Sequence, residues 1–176
     1  KQYYTGRSPL EALSIGVEMQ KSDVALRCNL VTLTEDDAPY DEQRILDHSS
    51  DEISTEDARV LLEAVAKEME DETYRFYVGT SYRHCLIWKN GTVTGLTPPH
   101  DVLEQQIRAY LPKDEKLLQM QRRSYEILRE HPLNKERRAK GLHPANSLWF
   151  WGAGTRPALS SFEEAHHKKG AMISAV

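Results

Sequence analysis

A small set of arginine, histidine and asparagine residues has the types and spacing to do chemistry. Arg27 and Asn29 lie two apart in Asp23-Val-Ala-Leu-Arg-Cys-Asn29, so on a strand they project from one face. Arg83 and His84 follow Ser81-Tyr82; as neighbours on a strand they point to opposite faces. His100-Asp101 closes the proline loop Thr97-Pro98-Pro99. Arg7 stands immediately before the helix-start signal Ser8-Pro9, where free N–H groups and the helix dipole favour an anion. Asn134 and Arg137 occupy a basic turn, and Asn146 follows Pro144-Ala145. A guanidinium recognises carboxylate and phosphate through two parallel hydrogen bonds. The set therefore fits a doubly anionic ligand that carries both groups.

Each residue also has an ordinary structural use. Arg27 can pair with one of the many carboxylates, His84 can be a satisfied core histidine, and His100-Asp101 can be a loop-to-helix cap. Asn134 is at least a helix cap, and Arg122, Arg123, Arg129 and Arg138 read as a solvated helix face. The pair His166-His167 does not aim both rings at one metal, because successive helical residues do not face each other. The sequence has no P-loop, no Gly-x-Ser-x-Gly, no His-Glu-x-x-His and no zinc-ligand spacing. Residue types and spacing alone thus reach an anion site on a folded domain.

The elements that must position these residues follow from periodicity. Ser8, Pro9 and Glu11 open a short helix that Gly16 can end. Residues 23–33 alternate as a strand, with Val24, Leu26, Cys28 and Leu30 facing a core and Arg27 and Asn29 facing away. Residues 34–44 form an acidic loop. Ser54 or Thr55 caps the clearest helix, whose Ala58, Leu61, Leu62, Val65, Ala66 and Met69 recur at helical spacing. Strands follow over 74–79 and 82–88, and Asn90-Gly91 predicts a hairpin turn. Asp101 is expected to cap a helix to about Tyr110. A longer helix runs to about Glu130 with Leu117, Leu118, Tyr125 and Leu128 buried. Asn134 then caps a short basic helix stopped by Gly141. Residues 147–151 read as a strand, 152–157 as a loop, Ser161 as a helix start and 170–176 as a last buried strand. This order lacks strict βαβ alternation, so the fold class is α+β, a mixed or mostly antiparallel sheet with helices packed against it.

The 176 residues suit a single domain, 1–176, with 39% hydrophobic and 28% charged residues. The net charge of −4 weighs against nucleic acid as a partner. No apolar run reaches the roughly 20 residues that span a bilayer, so no membrane partner is expected. Cys28 and Cys85 lie in apolar-alternating segments without CxxC spacing; they read as buried free thiols, which fits a cytoplasmic location. The chain starts at Lys1 and stops inside the apolar run Gly170–Val176, which suggests a fragment of a larger two-domain protein.

Eight segments, in order along the chain, resemble the 2,3-bisphosphoglycerate-independent phosphoglycerate mutases of archaeal type. They are Tyr4-Thr-Gly-Arg-Ser-Pro-Leu-Glu-Ala12, Asp23-Val-Ala-Leu-Arg-Cys-Asn29, Gly79-Thr-Ser-Tyr-Arg-His84, Thr97-Pro-Pro-His-Asp101, His131-Pro-Leu-Asn-Lys-Glu-Arg137, Gly141-Leu-His-Pro-Ala-Asn146, Trp149-Phe-Trp-Gly-Ala-Gly154 and Lys169–Val176. One departure is Asp101-Val-Leu-Glu-Gln-Gln-Ile107, where similar proteins carry a glycine. The family belongs to the alkaline phosphatase superfamily. The resemblance implies an isomerase of glycolysis and gluconeogenesis that interconverts 3-phosphoglycerate and 2-phosphoglycerate through a phosphoserine. It further implies that this chain is the inserted substrate-side domain, inactive alone. The serine and two divalent metal ions, manganese by family pattern, would lie in the phosphatase-like domain of the same polypeptide, with no catalytic residue and no metal ligand in this segment. Something must then hold the glycerate and exclude water while the phosphoryl group moves. By family pattern the substrate ligands are Arg27, Asn29, Arg83, His84 and His100, then Arg7, Asp101, Asn134, Arg137 and Asn146. A stand-alone binding or regulatory domain for phosphorylated metabolites is the alternative.

Overall fold

The computed structural model describes residues 16, 19–92 and 95–155. Arg7, the helix expected after Ser8, the helix start at Ser161 and the strand over 170–176 lie outside the described residues. The framework is a five-stranded sheet centred on β1 (Val24–Leu33). It comprises β2 (Ile45–Asp47), β3 (Tyr74–Thr80), β4 (Arg83–Trp88) and β5 (Ser147–Thr155). β1 pairs antiparallel with β4 from Val24 to Asn29, with β5 from Val24 to Val31, and with β2 at Thr32 and Leu33. β3 pairs antiparallel with β4. The α+β expectation, with a mostly antiparallel sheet, is what the structure shows.

One face of the sheet is apolar because β1 alternates. Val24, Leu26, Cys28 and Leu30 are fully buried there, beside Phe76, Leu86, Leu148 and Phe150. Two helices cover this face. α1 (Thr55–Met69) begins at Ser54, whose Oγ accepts from the Asp57 N–H, and lays down Ala58, Leu61, Leu62 and Val65. α2 (Glu115–Arg129) is capped by Asp114 and buries Leu117, Met120 and Leu128. Each such leucine, valine or methionine side chain contributes roughly 1.5–3 kcal/mol by leaving water. α2 also closes the outer edge of β5. Ser124 Oγ accepts from the Leu148 N–H at 3.0 Å and Gln121 Oε1 from the Phe150 N–H at 2.9 Å. Buried polar residues on α2 thus do the work of a missing strand.

Several local expectations are corrected. The β3–β4 connection is the two-residue turn Ser81-Tyr82, since Thr80 pairs with Arg83; the Asn90-Gly91 turn follows β4, and its Gly91 fits because a Cβ would meet the Trp88 ring at 2.3 Å. Ser81 accepts a φ of 58° because its N–H donates to Thr55 Oγ1 and its Oγ donates to the Ile53 carbonyl. The helix expected after Asp101 is replaced by 3-10 turns at Pro99–Asp101 and Ile107–Tyr110. The backbone between them pairs with β2 and its approach, Glu104 N–H to Ile45 O, Ile45 N–H to Gln105 O and Ile107 N–H to Gln43 O. Glu104 turns there with a φ of 67°, the left-handed region that favours glycine. The short basic helix, α3 (Pro132–Ala139), is capped by His131, and Asn134 lies inside it. β5 continues to Thr155, past the loop expected from residue 152. Leu118 is only half-buried on α2.

Asn134, Arg137 and Asn146 brace this framework. Asn134 Nδ2 donates to the Leu128 and Ala145 carbonyls, and its Oδ1 accepts from the Ala145 N–H. Arg137 donates to the His143 and Ser50 carbonyls. Asn146 takes the Leu33 N–H at 2.8 Å and returns a donor to the Leu33 carbonyl at 2.9 Å, closing the end of β1. Arg138 is likewise no solvated side chain, since it forks onto Glu35 at 2.8 and 2.5 Å. His84 belongs to the helix-covered face and is 4% exposed. Its Nδ1 accepts from the Gly79 N–H at 2.8 Å. Burial pushes the ring's pKa down to about 4, opposed by a backbone hydrogen bond and aided by the charge on Arg59.

Two outcomes follow. Asn146→Ala strips both partners from the buried Leu33 backbone and lowers stability by about 2–4 kcal/mol, read as a drop in denaturation midpoint at an unchanged slope. For His84 the folded pKa lies below the unfolded value of about 6.5. The stability of the neutral ring is therefore complete above about pH 6.5 and is lost as pH falls towards 4. The stability difference between wild type and His84→Gln, measured by denaturation at pH 7, 5.5 and 4, narrows steadily with acid; a constant difference would contradict this placement.

Candidate functional site

Among the described residues, the other face of the sheet carries apolar clusters at its two ends. Met19, Ala25, Cys85 and Ile87 cluster at one end, and Val31, Leu33, Tyr40, Ile45, Ile107 and Trp149 at the other. Between them the register sets Arg27 opposite Cys85 and Trp151, and Asn29 opposite Arg83 and Trp149. Directly paired residues of antiparallel strands share a face. Arg27, Asn29, Arg83 and Trp151 therefore stand together, with Arg27 and Arg83 as diagonal neighbours at roughly 7–8 Å.

Aromatic rings organise the cluster. The Arg27 guanidinium carbon lies 4.6 Å from the Trp151 ring centroid, and Trp151 Nε1 donates to Asn29 Oδ1 at 3.2 Å. The Arg83 guanidinium lies 5.0 Å from the Tyr82 ring and donates to its hydroxyl at 3.4 Å. His48 joins the two halves, 5.8 Å from Tyr82 and 5.9 Å from His100. His100 in turn sets its ring edge-on to Trp151 at 5.5 Å. The proline loop is held over this face by Trp149, whose Nε1 donates to the Thr97 carbonyl at 2.7 Å. Asp101 sits 3.7 Å from His100 Nε2, and both are largely exposed.

Of the residues singled out in the sequence, Arg27, Asn29, Arg83, His100 and Asp101 come together. His84 lies on the opposite face of β4, and Asn134, Arg137 and Asn146 are engaged with backbone carbonyls and N–H groups elsewhere. Arg7 lies outside the described residues. Trp151, His48 and Tyr82 were not anticipated. Strict alternation with Trp149 could have pointed to Trp151, whereas His48, in the connection after β2, carries no periodic signal. Cys28 and Cys85 are buried and form no disulfide, as expected; burial raises the Cys28 pKa well above its usual value. Beside the cluster, a cavity of about 390 Å³ opens between the start of α1 and the β3–β4 turn, lined by Glu52 to Thr55 and Ser81 to Arg83.

Among the described residues one group has metal-ligand character, Asp47, Asp51 and His143. Burial would raise the Asp47 pKa, but hydrogen bonds from His143 and from the Ser49 and Asp51 N–H groups hold it at about 2. Its oxygens already accept from His143 Nδ1 at 2.8 Å, Ser49 N–H at 2.9 Å and Asp51 N–H at 2.7 Å. Two metal ions need two ligand sets, and this single, internally satisfied triad does not provide them. The described residues do not fit a two-ion centre.

Comparison with known proteins bears on the family and the fold. The family model described as 2,3-bisphosphoglycerate-independent phosphoglycerate mutase matches residues 1–134. The chain is 44% identical over 179 residues to the Methanosarcina barkeri protein of that name, covering 99% of this chain and 43% of the relative. It is 44% identical to a Geobacter sulfurreducens protein named as a probable member, covering 98% of this chain and 44% of that one. The solved cofactor-independent phosphoglycerate mutase from Thermoplasma acidophilum superposes with a TM-score of 0.66 at 26% identity, over 89% of this chain and 44% of that structure. The chain thus spans less than half the length of the curated relatives it matches. In ordered sequence and in fold, it belongs to the 2,3-bisphosphoglycerate-independent phosphoglycerate mutase family.

Proposed function

We propose that this chain is the substrate-side domain of a cytoplasmic phosphoglycerate mutase, holding phosphoglycerate while a phosphatase-like domain of the same polypeptide performs the phosphoryl transfer. The observation that carries this reading is the placement of two arginines, Arg27 and Arg83, on one face of adjacent strands with Asn29 and His100 beside them. A phosphoglycerate bears a carboxylate and a phosphate, and two arginine forks on adjacent strands suit two anionic groups on one small molecule. Strands rather than loops carry both arginines, so their spacing is set by the sheet.

Half-buried Arg27 stands between apolar clusters that displace water, which strengthens its attraction for an anion. Two divalent ions, when bound by the phosphatase-like domain, supply Lewis acidity to the phosphoryl group. The residues of this chain bind and orient the glycerate and keep water away. Asn134, Arg137 and Asn146 support the site from a distance by fixing the end of β1 and the start of β5.

The test is steady-state turnover of 3-phosphoglycerate by the full-length protein. Arg27→Ala and Arg83→Ala each remove a charged hydrogen-bonding partner and lower kcat/KM about 10- to 100-fold. Arg27→Lys recovers only part of the loss because an ammonium has no planar fork. Values within twofold of wild type for both alanine variants would overturn the reading.

A further inference from the structure

We propose that Trp151 is a positioning residue that holds the Arg27 guanidinium ready for an anionic ligand; this inference rests on the reading of Arg27 as a substrate ligand. The register places Trp151 directly opposite Arg27. Its indole is fixed on three sides. Nε1 donates to Asn29 Oδ1 at 3.2 Å, the Arg27 guanidinium carbon lies 4.6 Å from the ring centroid, and His100 meets the ring at 80° and 5.5 Å. A ring so held cannot turn without breaking all three contacts.

The arrangement has a clear chemical use. Arginine is long and flexible, and ordering it on binding costs affinity. Stacking on an immobile ring orders it beforehand. Stacking also uses the flat face of the guanidinium, whereas hydrogen bonding uses its edge, so one group can do both. Asn29 then acts through the indole, as the acceptor that sets its angle, and His100 buttresses the same ring. Three positions singled out for ligand binding therefore converge on a fourth whose aromatic character alone would suggest core packing. Thr97, held by Trp149, keeps the His100 loop in place above it.

A double-mutant cycle in the full-length protein tests this, with KM and kcat for 3-phosphoglycerate and the thermal unfolding midpoint of each variant as readouts. Trp151→Leu raises KM about three- to tenfold with kcat within twofold of wild type. In the Arg27→Ala background the same substitution changes KM by less than twofold, because the residue acts through Arg27. Trp151→Phe keeps a ring face and restores most of the KM; it also carries the cycle should leucine disturb the sheet. If Trp151→Leu multiplies the Arg27→Ala defect by its full single-variant factor, or leaves KM unchanged in a folded protein, the inference is wrong while the reading of Arg27 stands. If Arg27→Ala itself leaves kcat/KM unchanged, the reading and the inference fall together.

Discussion

Antiparallel pairing on both sides of β1 is the constraint from which the site follows. With β4 on one flank and β5 on the other, Arg27, Cys28 and Asn29 each meet one partner from each neighbour on their own face. Helices α1 and α2 claim the face of Val24, Leu26, Cys28 and Leu30. Among the described residues, the opposite face meets loops and 3-10 turns, and small apolar clusters lie at its ends with a polar centre between them. Trp151 offers the half-buried Arg27 a π face. A one-residue slip of β4 or β5 would send Arg83 or Trp151 to the helix side and dissolve the cluster.

The framework spends many polar groups to hold that register. Asn146 clamps Leu33, Arg137 ties the Ser50 and His143 carbonyls, and Asn134 joins α2 to the approach of β5. Asp47 performs a similar task at the end of β2. It gathers N–H groups from Ser49 and Asp51 and the His143 ring around a chain in which Ser50, Asp51 and Glu52 all have positive φ. Three consecutive left-handed residues are unfavourable for non-glycine side chains, and these bonds offset the cost. The result is a rigid connection that delivers His48 to the edge of the cluster.

The sheet and most of its core were legible in the sequence because alternation and helical spacing are local. Arg27 and Asn29 were read correctly as companions on one face, and Arg83 joined them through register. Asn134, Arg137 and Asn146 could not be separated from ligand-binding residues by type, since the same amide and guanidinium groups serve a substrate or a backbone. Their partners lie on distant segments that only folding brings near. Trp151 was hidden for the converse reason: an aromatic residue in an alternating strand looks like core. Gly79 is explained only in three dimensions, where a Cβ would strike the Arg83 carbonyl at 2.3 Å. The turn at Asp101 defeated local reading because its backbone pairs with β2 instead of with itself.

The proposed ligand position lies on the face of the sheet opposite α1 and α2, between β4, β1 and β5. A crystal structure of the full-length protein with 3-phosphoglycerate tests it most directly. Carboxylate or phosphate oxygens are expected within hydrogen-bonding distance of both Arg27 and Arg83, with the Arg27 guanidinium still stacked on Trp151. A bound phosphoglycerate that touches neither arginine, or that lies on the helix-covered face beside His84, would contradict it.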